Sequence, residues 1–141
     1  MTGAGVSDEV RRRITALFGG RCSYCRSPLF LLRGSDNIEH IIPRVADGPT
    51  VEANLCLSCS RCNLRKRTRT SGFDALTRRT VALFHLHPQR QRWPNHFEWN
   101  NNFTLIIGRT AAGRVTEKLL RLNDDEFRSR KIWIKAGWHP E

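Results

Sequence analysis

No apolar run in this chain approaches the roughly 18–20 residues that a membrane helix needs, so no membrane-spanning helix is expected. The opening stretch, MTGAGVSDEVRRR, has no apolar segment behind its basic residues and is not read as a secretory signal. The expected location is therefore a reducing cytoplasm, where paired cysteines bind metal more often than they form disulfides. Internal repeats, low-complexity tracts and obvious linkers are missing too. Acidic residues are scarce, 13 Asp+Glu against 24 Lys+Arg, which leaves a net charge of +11 and a pI near 10.7. Lysine is scarcer still, since 20 of the basic residues are arginine. Arginine grips phosphate with a planar fork that lysine lacks. A polyanion, most simply nucleic acid, is the natural partner, and a well-solvated basic surface is the plain alternative. Apolar residues make up only 39% of 141 positions, which allows one ordinary core in one domain of residues 1–141 and leaves room for a metal clamp to help it.

What the chain does have is concentrated between Cys22 and Lys66. Two Cys-x-x-Cys pairs, Cys22/Cys25 and Cys59/Cys62, bracket Glu39-His40, with Asn54 and Asn63 further on. Four thiolates bind zinc tetrahedrally, and a closed four-sulfur site makes such a zinc structural. The 33 residues between the pairs imply a structure threaded between two knuckles. Two disulfides conflict with the missing secretion signal, and a redox pair leaves the second knuckle unexplained. Cys56, the fifth cysteine, lies in the alternation Leu55-Cys56-Leu57 and reads as a small buried hydrophobe.

The flanking pattern is mixed α and β. Residues 7–18 read as a helix, with Ser7 as cap, Asp8 and Glu9 at its positive end, and Val10, Ile14, Leu17 and Phe18 on one face. Gly19-Gly20 stops it. Ile38–Ile42 and Leu55–Leu57 read as strands, and the basic run from Ser60 as a helix. Residues 71–99 read as a long connection that packs aromatic groups. Phe103–Ile107 reads as a strand, followed by a helix capped by Thr110 and another capped by Asn123.

Inside the cysteine frame, Glu39 and Asn63 offer oxygen, which suits a hard ion such as Mg²⁺ or Mn²⁺. His40, with an ordinary pKa near ~6.5, can take a proton from water at neutral pH. Neighbours on a strand point to opposite faces, so Glu39 and His40 share a site only if the strand twists or ends there. Asn54 can bond across the loop behind His40. Arg65 and Lys66, one turn past Asn63, together with Arg61 and Arg67, are placed to touch phosphate. Each residue also has an ordinary structural reading: a surface acid–histidine pair, a turn asparagine, an asparagine bonded near the knuckle. Their joint placement in one clamped segment favours chemistry.

The run CSYC…IEHIIPR…NL…CSRCNLRK resembles the HNH endonucleases. The resemblance implies an α+β fold: a ββα-metal core over residues 21–70 stapled by a four-cysteine zinc, preceded by a helix and followed by a strand-helix-helix extension over 71–141. It assigns His40 as general base, Glu39 and Asn63 as ligands of a catalytic Mg²⁺ or Mn²⁺, and Asn54 to orienting the active-site loop. Asn63 stands where the family's last histidine often is, and Glu39 where aspartate is more frequent. Residues 87–99 and 105–140 are similar to the C-terminal extension of a bacterial subgroup. The implied activity is hydrolysis of DNA phosphodiester bonds, one strand per site, by a monomer or homodimer. A zinc-dependent nucleic-acid-binding module without catalysis, and a ribonuclease using the same site, are the alternatives. His85, His87, His96 and His139 read as structural histidines.

Overall fold

The computed structural model describes residues 6–31, 36–84, 92–124 and 126–140. The chain divides into two compact units, one taking in the sequence up to Thr70, the other Ser71–Phe84 and the sequence from Trp93 onward. His85 and His87 lie outside the described residues. No helix among the described residues is long and apolar enough to cross a membrane.

The first unit begins with α1 (Asp8–Leu17), where Ser7 Oγ accepts from the Val10 amide at 3.2 Å. That bond satisfies one of the amides a helix start leaves open, and Asp8 and Glu9 complement its positive end. Ile14 and Phe18 are buried, but Leu17, expected beside them, is exposed. Gly19 and Gly20 both have positive φ, 66° and 69°, which turns the chain sharply into the first knuckle. Strand β1 (Asp36–His40) pairs antiparallel with β2 (Leu55–Cys59), setting Ile38 opposite Leu57 and His40 opposite Leu55. All of β2 is buried. Helix α2 (Ser60–Lys66) follows without a break, so the centre of the unit runs β, β, α.

β1 stops at His40, short of the Ile42 that the apolar pattern predicts. The reason is local. Asn54 takes over the next two amides, its carbonyl accepting from Ile41 N and its side-chain Oδ1 from Ile42 N, both at 2.9 Å. Pro43 then leaves no donor with which to resume a ladder.

The second unit carries β3 (Ser71–Asp74) and β4 (Arg79–Ala82) as a hairpin, then α3 (Trp93–His96), β5 (Phe97–Trp99), β6 (Ile106–Gly108), α4 (Ala111–Leu120) and α5 (Glu126–Lys135). Residues 71–99, expected to be a long connection, are thus largely regular. Their strands of three and four residues are too short to show a period. β6 starts at Ile106, later than expected, because Phe103 has φ 60° in a turn held by Asn100, whose Oδ1 accepts from Thr104 N and Leu105 N. Thr110 caps α4 as predicted, accepting from Gly113 N at 3.0 Å. Asn123 does not cap α5. Its amide pairs with both backbone groups of Ile106 and accepts from Arg130, a buried guanidinium that also lies over the Trp99 ring.

Candidate functional site

The two knuckles are built by tight backbone turns. In the first, Cys22 N donates to Ser27 O and Arg26 N to Cys22 O, with Arg26 at φ 59°. In the second, Cys59 ends β2 and caps α2, its Sγ accepting from Cys62 N at 3.4 Å. Ser23 N donates to Leu57 O, tying the first knuckle to β2. The pairing brings Cys22, Cys25, Cys59 and Cys62 together with their sulfurs all within 4.8 Å of one another, all buried. Bonds of about 2.3 Å in a tetrahedron place sulfurs about 3.8 Å apart, and Cys25 Sγ and Cys59 Sγ are 3.8 Å apart. The four residues fit zinc. Hydrogen bonds from Cys22 and its neighbours push the Cys25 thiol well down, while burial pushes Cys22 up and hydrogen bonds to the other three push Cys62 up, so without a cation to balance it the crowded cluster favours one thiolate and not four. Cys56 stands apart, its thiol pushed up to about 12, chiefly by burial.

His40 closes β1 half-exposed, with Nε2 2.8 Å from Thr50 Oγ1. Partial burial lowers its pKa, and the nearby Arg44 guanidinium lowers it further. Both favour the neutral ring, which can accept a proton. When Nε2–H donates to Thr50, Nδ1 keeps its lone pair free. The loop that carries Thr50 is pinned by Asn54, whose Nδ2 donates to Ile42 O at 3.1 Å and to Pro49 O at 2.9 Å. With Oδ1 bound to Ile42 N, the carboxamide spends itself on the segment after His40 and the residue before Thr50. Gly48 lies under this loop, where an added Cβ would fall 1.7 Å from Ile42 O. Only glycine fits there.

Glu39, one residue before His40, faces the other way, as strand alternation requires. Its Oε1 accepts from Tyr24 OH at 3.1 Å and lies 3.1 Å from Lys66 Nζ, and its Oε2 accepts from Ser58 Oγ at 2.8 Å. Lys66 also donates to Ile41 O. The structure thus turns Lys66 inward, onto the Glu39 carboxylate, and not onto the basic surface where phosphate contact was expected of it. Arg61 and Arg67 are exposed and Arg65 is half-buried. Asn63 is half-buried on α2, and its carboxamide makes no hydrogen bond among the described residues. No hydrogen bond joins it to Glu39.

The inner oxygen set fits a hard divalent ion in part. Asn63 has an uncommitted carboxamide. Glu39 has one of about four lone-pair directions left, on Oε2, and its charge is already matched by Lys66. Asn63 alone leaves an ion most of its positions for water and phosphate, as Mg²⁺ prefers, while Glu39, held by Tyr24, Ser58 and Lys66, stands on the opposite face of β1 from His40.

Four partners escaped sequence reasoning: Tyr24, Thr50, Ser58 and Gly48. Gly48-Pro49 marked a loop, yet nothing in the sequence tied Thr50 to His40 ten residues away. Of the other histidines, His96 Nδ1 meets Thr110 Oγ1 at 2.8 Å and His139 Nε2 meets Phe103 O at 2.7 Å. Among the described residues the four cysteines are the one cluster of potential metal ligands.

Residues 22–69 match a family model described as HNH endonuclease. The matched span is the one that holds the four clustered cysteines, in a mixed α+β setting consistent with that family. No curated protein and no solved structure matches the chain.

Proposed function

We propose, with that family-model match as premise, that this protein is a metal-dependent endonuclease that hydrolyses DNA phosphodiester bonds one strand at a time. The observation that carries the reading is His40: a half-exposed imidazole, shifted toward its neutral form, fixed by Thr50 on a loop that Asn54 pins. A water beside the scissile phosphate loses its proton to this ring as it attacks phosphorus, the P–O bond to one sugar breaks and the leaving oxygen takes a proton from solvent; help of this kind is worth roughly 10²–10⁴ in rate. Thr50 holds the ring, and Asn54 holds the segment after His40 and the residue before Thr50. Arg61, Arg65 and Arg67 supply positive charge to the DNA backbone. Asn63 would offer its carboxamide to Mg²⁺ or Mn²⁺, most of whose positions stay with water and phosphate; when bound, the ion would stabilise negative charge that develops on the phosphate. A zinc held by Cys22, Cys25, Cys59 and Cys62 would keep β2, α2 and the first knuckle in register and would take no part in the chemistry.

The test is nicking of supercoiled plasmid. Conversion to the open circle with Mg²⁺, its loss in EDTA and its absence in His40→Ala at unchanged zinc content is the expected result. His40→Ala cutting as fast as the parent overturns the assignment. A protein that binds plasmid but never nicks it with Mg²⁺ or Mn²⁺ is the non-catalytic binding module instead.

A further inference from the structure

The β3–β4 hairpin is mounted by one face only. Opposed residues of an antiparallel pair share a face, so Gly72 with Val81 and Asp74 with Arg79 form one side, Phe73 with Thr80 and Ser71 with Ala82 the other. The first side rests on α4. Gly72 lies so close to it that an added Cβ would meet Val115 Cγ1 at 2.6 Å and Leu119 Cδ1 at 2.8 Å. Asp74 is clamped to the same helix by a two-pronged ion pair, its Oδ1 accepting from Arg114 Nε and its Oδ2 from Arg114 Nη2. Asp74 Oδ2 also accepts from the Thr77 amide and hydroxyl, which fixes the turn.

The outer side is open. Ser71, Phe73, Thr80 and Ala82 are all exposed, Phe73 at 61%. At the tip Leu76 is 74% exposed, and Arg78 in the turn and Arg79, at the tip end of the mounted side, are exposed too. Neither guanidinium has an ion-pair partner among the described residues. The hairpin's one acidic residue, Asp74, is already neutralised by Arg114. A rigid ribbon thus presents an apolar apex, an uncharged outer face and two free cations.

We propose that this hairpin is a second DNA-contacting element, outside the HNH span, which enters a groove of the duplex. A two-stranded ribbon is the width that the major groove admits. Arg78 and Arg79 reach phosphates at the groove wall, while Leu76 and Phe73 meet base edges and thymine methyl groups. The charge decides between duplex DNA and an apolar protein partner: an unpaired arginine couple on a +11 chain favours a polyanion. The inference rests on DNA as the substrate.

The experiment measures duplex binding by fluorescence anisotropy across a salt series, using the full chain with His40→Ala so that the DNA stays intact. Arg78→Asn/Arg79→Ala is the main variant, asparagine being tolerated at the left-handed φ of 59° that Arg78 adopts. Affinity falls roughly tenfold or more at 0.1 M salt, and the slope of log K against log salt falls by about 2. Phe73→Ser/Leu76→Ser lowers affinity several-fold with the slope unchanged. Lys118→Ala/Lys135→Ala removes the same charge from exposed helix positions and changes less. Parent-like affinity and slope in the arginine variant, or an equal loss in the lysine control, overturns the proposal. A parent that binds no duplex overturns it together with the reading beneath it. A parent that binds DNA yet nicks none sinks the nuclease alone, and the hairpin comparison still decides this point.

Discussion

Lys66 and Glu39 form a buried ion pair, Nζ to Oε1 at 3.1 Å, with the lysine side chain wholly shielded from water. The pair ties α2 to β1 immediately beneath His40, and the second bond from Lys66, to Ile41 O, holds the residue that follows it. Removing one member of a buried pair strands the other charge, at a cost of about 3–5 kcal/mol. Lys66→Met is therefore expected to lower the stability of the protein sharply, as measured by denaturant unfolding. Lys66→Met/Glu39→Gln recovers much of that loss in a double-mutant cycle. A Lys66→Met protein with parental stability and weakened DNA binding places the lysine on the DNA-facing surface instead.

Thr50→Val tests how His40 is held. The change keeps the side chain's shape and deletes its only bond to the imidazole. kcat for nicking should fall several-fold or more while KM for DNA stays within error. A fall confined to KM means that Thr50 serves binding and does not position the ring.

Asn54→Ala removes three hydrogen bonds from the loop. It leaves the Ile42 amide and carbonyl without partners in a half-buried place, a loss on the order of 1–3 kcal/mol per stranded group. Lower stability and slower nicking, with zinc content kept, are the expected outcome by thermal unfolding, plasmid assay and metal analysis. Parental nicking by the Asn54→Ala protein argues against the loop as the part that aims His40.

Metal analysis separates the cysteines. The parent and Cys56→Ala should each carry one zinc per chain, because Cys56 lies outside the four-sulfur cluster. Cys59→Ser should lose most of it and unfold the first unit, since that sulfur both binds metal and caps α2. Equal zinc in Cys59→Ser and parent contradicts the site.

The Asp74–Arg114 clamp gives a pH signature. Arg114 and Thr77 hold the Asp74 carboxyl well below its ordinary value of 3.8. A depressed carboxyl stabilises the fold above its unfolded pKa and loses that contribution as pH falls toward its folded one. The Tm gap between parent and Asp74→Asn should be constant above about pH 5 and shrink below about pH 4. A gap that is unchanged down to pH 2 removes the ion pair from the stability of the second unit.

The sequence by itself determined what depends on residue type and short spacing. Cys-x-x-Cys twice over, the Ser7 and Thr110 caps, the β, β, α order and the candidate base at His40 are written in neighbours a few positions apart, where local geometry does the work. Tertiary structure decided everything that needs two distant residues to meet. In the sequence Glu39 reads as a metal ligand and Lys66 as a phosphate contact, because side-chain direction depends on how β1 packs against α2 and the first knuckle. Only the packed fold shows their opposite charges meeting in the interior. Thr50 and the outer face of the β3–β4 hairpin were silent for the same reason: a contact or an exposed face is a property of the folded chain.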